Sequence, residues 1–98
     1  AMNGRTVVTI RMDGFQRDIE LPEALPLRTL CVQLLELLKQ TDARLFRTMD
    51  EIALAVDSMP MLNGSVSLKD YGIYNGTYLD IVPIEKMKLA AGGAVNAI

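Results

Sequence analysis

The segment Arg5-Thr6-Val7-Val8-Thr9-Ile10-Arg11-Met12-Asp13-Gly14-Phe15-Gln16-Arg17-Asp18-Ile19-Glu20-Leu21 decides the fold, because it reads as a β-hairpin with one apolar face. Val8, Ile10 and Met12 alternate along its first half and Phe15, Ile19 and Leu21 along its second, with Asp13-Gly14 between them. Asp-Gly is a favoured two-residue connection because both positions must tolerate positive φ. Pairing Met12 with Phe15 across that turn sets Ile10 opposite Arg17 and Val8 opposite Ile19, so one face is apolar except at Arg17. Val7, Thr9, Arg11, Gln16, Asp18 and Glu20 fall on the other face, which is expected to be solvated. A sheet with one dry face needs a cover.

The cover comes next in the chain. After Leu21-Pro22-Glu23-Ala24-Leu25-Pro26, apolar residues recur at Leu27, Leu30, Cys31, Leu34, Leu35, Leu37 and Leu38, the three-and-four spacing of an amphipathic helix. Pro26 suits a first helical turn, where its missing N–H costs nothing. Arg28, Gln33, Glu36, Lys39 and Gln40 mark the wet side. Thr41-Asp42 starts a polar connection over residues 41–50 in which Leu45, Phe46 and Met49 predict a further short helical turn.

Alternation returns over Glu51–Val56, with Ile52, Leu54 and Val56 on one side and Ala53 and Ala55 on the other. Asp57-Ser58 turns the chain, Met61-Leu62 is expected as a short strand, and Asn63-Gly64 ends it. Ser67–Ile73 reads as a helical turn and Tyr74-Asn75-Gly76 as a tight turn. Thr77–Val82 is the last strand, with Leu79 and Ile81 inward, and Pro83 closes it. The order is ββαββ with the helix third, an α+β mixed sheet carrying one main helix packed on one face. At this length that order points to the β-grasp, or ubiquitin-like, fold. Residues 5–82 are expected to form the domain and residues 83–98, with Gly92-Gly93 and no strand-length alternation, a flexible C-terminal tail.

Composition narrows the chemistry. The chain has 98 residues, 50% apolar and 22% charged, with ten Lys plus Arg against twelve Asp plus Glu and no His. That fits one compact domain with a small core. A formal charge of −2 gives no basic footprint for nucleic acid. Without His, Ser-His and Cys-His nucleophiles and His-ligated zinc are excluded. One cysteine, Cys31, makes no intramolecular disulfide, and a cytoplasmic location is the default expectation. No stretch approaches the roughly 18 apolar residues of a membrane span, so direct membrane insertion is not expected.

Two stretches carry a resemblance. Ser67-Leu68-Lys69-Asp70-Tyr71-Gly72-Ile73-Tyr74-Asn75-Gly76-Thr77-Tyr78-Leu79-Asp80-Ile81-Val82 resembles the L-x-D-x-x-I-x-x-G-D-x-L-x-I ending common in ubiquitin-like domains, with Thr77 where that ending often has Asp. Upstream, Leu21-Pro22-Glu23-Ala24-Leu25-Pro26-Leu27-Arg28-Thr29-Leu30 is similar to the lead-in to the helix of the YukD/EsaB family, small ubiquitin-like proteins of bacterial type VII secretion, which exports helical WXG-type proteins. The resemblance implies a non-enzymatic accessory or regulatory component, cytoplasmic and peripheral to a membrane secretion complex, with secretion-machinery proteins as partners. It also implies that a related domain belongs to a larger membrane subunit, a status open for this chain as well.

No residue type in this sequence forms a convincing catalytic, cofactor or metal site. Cys31 sits on the apolar stripe and reads as a small buried hydrophobe. The carboxylates Asp18, Glu20, Asp50, Glu51, Asp70 and Asp80 lie on wet faces or in turns, and Asp70 is expected to accept backbone N–H bonds in its own turn. What remains is a protein-contact surface. Ala53, Ala55 and Tyr78 are expected outward on the sheet, and Met59-Pro60-Met61-Leu62 is a second apolar patch through Met59 and Met61. The alternative from another class is a modifier or sulfur carrier activated at Gly93. Those proteins use a terminal diglycine, whereas Ala94–Ile98 follow it here, so that chemistry requires prior trimming.

Overall fold

The computed structural model describes residues 4–84. Of the segment 83–98 expected as a tail, Pro83 ends the last strand and Ile84 N–H donates to the Glu51 carbonyl at 3.1 Å, while residues 85–98, and with them Gly92-Gly93, lie outside the described residues. Strands β1 (Arg5–Met12) and β2 (Phe15–Pro22) form the hairpin, followed by helix α1 (Leu27–Thr41) and the short helix α2 (Ala43–Phe46). Strands β3 (Ile52–Val56), β4 (Met59–Pro60) and β5 (Tyr78–Pro83) complete a mixed sheet in the order β2-β1-β5-β3-β4. β1 and β5 run parallel at its centre and the other pairs are antiparallel.

The hairpin takes the register its turn dictates: Met12 pairs with Phe15, Ile10 with Arg17 and Val8 with Ile19. Asp13 and Gly14 adopt φ of 20° and 79°, the handedness such a turn demands. Arg17, the one charge on the apolar face, escapes because β2 is an edge strand. Its guanidinium carbon lies 5.7 Å from the Phe15 ring centroid, so the stem covers apolar surface while the head reaches water.

Leu27, Leu30, Leu34, Leu35 and Leu38 of α1 are buried against Val8, Ile10, Leu54, Leu79 and Ile81 of the sheet. Leu37, expected on the same stripe, is exposed, since it falls one position short of Leu38 around the helix and turns toward solvent. No side chain caps the start of α1. Instead Leu27 N–H donates to the Val66 carbonyl at 2.8 Å and Arg28 N–H to the Gly64 carbonyl at 2.9 Å. The loop before β5 thus supplies acceptors that the first helical turn lacks. A side chain at position 64 would meet Arg28 Cβ at 3.0 Å, which explains the glycine there.

The short helix expected between α1 and β3 is present as α2. Asp42 caps it through Leu45 N–H at 3.2 Å, and Phe46 is fully buried edge-on to Phe15, with ring centroids 5.1 Å apart. Two expectations shift. The short strand is Met59–Pro60 rather than Met61-Leu62, because Asp57 and Ser58 turn at once with φ of 50° and 67°, so pairing resumes at Met59. Thr9, expected on the wet face, is buried: its hydroxyl donates to Asp18 at 2.7 Å and Tyr78 pairs beside it.

Ser67–Ile73 forms a single turn, closed by Tyr71 N–H to the Ser67 and Leu68 carbonyls and by Ile73 N–H to the Leu68 carbonyl at 3.0 Å. It drives Leu68, fully buried, and Ile73 into the core. Among the described residues no helix is long and apolar enough to cross a membrane.

Candidate protein-contact surface

With α1 covering one face of the sheet, the other face stays open among the described residues, and the strand registers decide what it shows. Arg11 of β1 pairs with Gln16 on one side and Asp80 on the other, and Asp80 pairs with Ala55, which pairs with Pro60. One rung along, Asp18, Thr9 and Tyr78 align. Arg11 donates to Asp80 through Nε at 3.0 Å and through Nη2 at 3.4 Å, a two-point grip. The same guanidinium lies 4.5 Å from the Tyr78 ring centroid. An exposed ion pair alone contributes about 0–1 kcal/mol, and the cation–π contact adds about 0.5–1 kcal/mol. Their main consequence is positional: they hold Arg11 and Tyr78 in one arrangement.

Beside them the Tyr74–Gly76 turn is fastened to β1. Val7 N–H donates to Asn75 Oδ1 at 2.9 Å, and Gly76 N–H donates to the Val7 carbonyl at 2.8 Å. Gly76 has φ of 91°, which a residue with a side chain adopts only under strain. Tyr74 and Val7 are both exposed beside the open face.

The residues picked out from sequence divide accordingly. Tyr78 is 49% exposed and Met59 70%, so both are accessible. Ala53 and Ala55 are not: only 5% and 4% of their surface is open. Each short methyl lies low in an interior strand, Ala55 between the longer Asp80 and Pro60, and Ala53 beside Val82. Met61, 4% exposed, belongs to the core, with its N–H donated to the Leu54 carbonyl at 2.8 Å. Met59 pairs with Val56 and therefore lies on the helix side of the sheet, so it does not join Tyr78 on one face. Arg11, Val7 and Tyr74, not singled out from the sequence, lie on or beside the same face as Tyr78. The available signal was the outward alternation of Arg11 and Tyr78, but only the parallel β1–β5 register shows that they touch.

The groups with chemistry are quiet. Burial pushes the Cys31 thiol up to about 11, which disfavours the thiolate at neutral pH. Asp70 accepts from Ser67 N–H at 2.8 Å and from its hydroxyl at 3.0 Å, and these bonds hold its carboxyl below the usual range. Among the described residues no three His, Cys, Asp or Glu side chains gather in a way that would hold a metal ion.

Comparison with known proteins gives two kinds of match. The family model for protein YukD of the WXG100 protein secretion system (Wss) matches residues 5–81. No curated protein matches the chain. Among solved structures, the ubiquitin-like domain of the Mycobacterium tuberculosis type VII secretion system protein ECCD1 is 28% identical with a TM-score of 0.65, over 81% of this chain and 98% of that one. The EccD5 ubiquitin-like domain from Mycobacterium xenopi is 21% identical with a TM-score of 0.68, over 81% and 93%. A chain of an ESX-5 inner membrane complex is 23% identical with a TM-score of 0.65, over 80% of this chain and 20% of that one. At 21% and 23% identity the last two show the shared fold alone.

Proposed function

The chain belongs to the YukD family of the WXG100 protein secretion system, and on that premise we propose that it is a non-enzymatic, ubiquitin-like accessory or regulatory component of a type VII system, acting by protein–protein contact. The observation that carries the contact reading is the locked Arg11–Asp80–Tyr78 group on the sheet face opposite α1, which no helix among the described residues covers. Tyr and Arg are the residues most often found at the energetic centres of protein interfaces, and pre-ordering them removes part of the entropy cost of binding. Every charge named on this face already has an opposite or hydroxyl partner: Arg5 with Glu20, Arg11 with Asp80, and Asp18 with Thr9. Such a face suits a protein partner better than a polyanion.

The partner, on this reading, is a protein of the secretion machinery, and the domain works at the cytoplasmic side of a membrane complex. One structural relative is part of an inner membrane complex, which supports that placement. The test is a photo-crosslinking amino acid at position 78 in the native host, with adducts identified by mass spectrometry. An adduct with a secretion component is expected. Adducts confined to unrelated abundant proteins, or a native chain ending at Gly93 and conjugated through it, would overturn the proposal.

A further inference from the structure

The sequence holds three Asn-Gly pairs, Asn3-Gly4, Asn63-Gly64 and Asn75-Gly76, and Asn3 lies outside the described residues. Asparagine before glycine is thermolabile, because no side chain on the following residue hinders attack of its amide nitrogen on the asparagine carboxamide. The fold treats the two described pairs differently. At Asn75-Gly76 the nucleophile is engaged, since Gly76 N–H donates to the Val7 carbonyl at 2.8 Å. The Asn75 carboxamide is drawn to β1 as well, where Oδ1 accepts from Val7 N–H at 2.9 Å. Attack there requires both bonds to break.

At Asn63-Gly64 the Gly64 N–H has no acceptor among the described residues. The exposed Asn63 keeps its carboxamide within its own turn: Oδ1 accepts from Ser65 N–H at 3.1 Å and from Ser65 Oγ at 2.6 Å, which folds it over the Gly64 peptide. Both donors rest on the oxygen that gathers negative charge when the side-chain carbon is attacked. The same loop starts α1, which no side chain caps: the Gly64 carbonyl accepts from Arg28 N–H at 2.9 Å and the Val66 carbonyl from Leu27 N–H at 2.8 Å.

We propose that Asn63 is a deamidation site of the folded chain, favoured over Asn75, and that its isoaspartyl product uncaps α1. The Gly64 nitrogen gives up its proton to hydroxide and bonds to the Asn63 side-chain carbon. The carbon–nitrogen bond of the carboxamide breaks, and the nitrogen leaves as ammonia after taking a proton from water. A second water then opens the cyclic succinimide at either carbonyl. One opening leaves an ordinary aspartate, while the other carries the main chain through the side-chain carbon and inserts a methylene between positions 63 and 64. That insertion displaces the Gly64 and Val66 carbonyls from Arg28 and Leu27, which the aspartate product leaves in place. This ageing reaction is independent of the secretion role.

The experiment ages the full-length chain in mildly alkaline buffer and follows each site by tryptic peptide mapping. Cleavage after Arg5, Arg47, Lys69 and Lys86 puts Asn3, Asn63 and Asn75 in separate peptides. Freeing Gly76 and the Asn75 carboxamide costs two hydrogen bonds, each a factor of about 2–12, so Asn63 is expected to convert about tenfold or more faster than Asn75. In concentrated urea, where neither turn persists, the two rates should converge. The isoaspartyl chain, isolated by chromatography, is compared with Asn63→Asp, which has the same composition and charge. Loss of the two cap bonds should make its unfolding equilibrium constant about tenfold larger in urea titrations. No conversion at Asn63, conversion at Asn75 as fast as at Asn63, a rate difference that survives in urea, or equal stability of the two isomers would each overturn the proposal.

Discussion

Replacing Leu68 by Ala tests how the turn before β5 holds the fold together. Leu68 is fully buried in the core cluster. Its backbone carbonyl accepts from Tyr71 and Ile73, and Lys69 N–H donates to the Glu23 carbonyl at 3.0 Å; none of these bonds needs the leucine side chain. The substitution therefore removes core volume without breaking the turn. Three carbons at about 0.8 kcal/mol each give roughly 2.4 kcal/mol of lost transfer energy, and the unfilled cavity raises the total to about 3–4 kcal/mol. A domain of this size has about 5–15 kcal/mol in all. Urea unfolding followed by far-UV circular dichroism should show the midpoint falling by about 1–3 M at unchanged slope. Leu62→Ala, on an exposed residue, serves as the control and should stay within about 0.5 kcal/mol of wild type. A Leu68→Ala loss no larger than that of the control would refute the claim that this turn plugs the core.

Other outcomes follow from the titrating groups and the hairpin. Burial raises the Cys31 thiol from 9.0 to about 11, so the unfolded chain gives up that proton first and stability falls as pH rises through this window. Cys31→Ala should flatten that fall, as seen in urea midpoints taken across it. Asp70 is held below 3.8 by Ser67, so its contribution is present above that pH and is lost as pH falls through the lower folded value. Asp70→Asn should be less stable than wild type at neutral pH and show a weaker decline on acidification, by the same measurement. Gly14→Val, at φ of 79° in the hairpin turn, should lower the thermal midpoint, at a cost of about 1–2 kcal/mol; no loss would contradict the turn geometry.

Local chemistry made much of this fold readable. Asp13-Gly14 fixed the hairpin register, the spacing from Leu27 to Leu38 fixed the helix face, and Leu68, Ile73, Leu79 and Ile81 stood where the ending resembles that of ubiquitin-like domains. The candidate contact surface was only half readable because exposure depends on neighbours distant in sequence. Ala53 and Ala55 alternate outward but are shaded by flanking strands, and Met61 is drawn into the core after the tight Asp57-Ser58 turn. The Arg11–Tyr78 contact depends on a parallel pairing between the first and last strands, across most of the chain, and no local pattern encodes that register.

The central claim is that the locked sheet face serves secretion by binding another protein. The most direct measurement is export of WXG100-type proteins by native-host cells carrying Arg11→Ala with Tyr78→Ala, alongside the cellular level of the variant. Both side chains are half-exposed or nearly so, and their loss should leave the domain folded and present at normal levels. Loss of two interface-centre side chains costs about 2–4 kcal/mol of binding, so export is predicted to fall about tenfold or more. Undiminished export at normal protein levels would contradict the account.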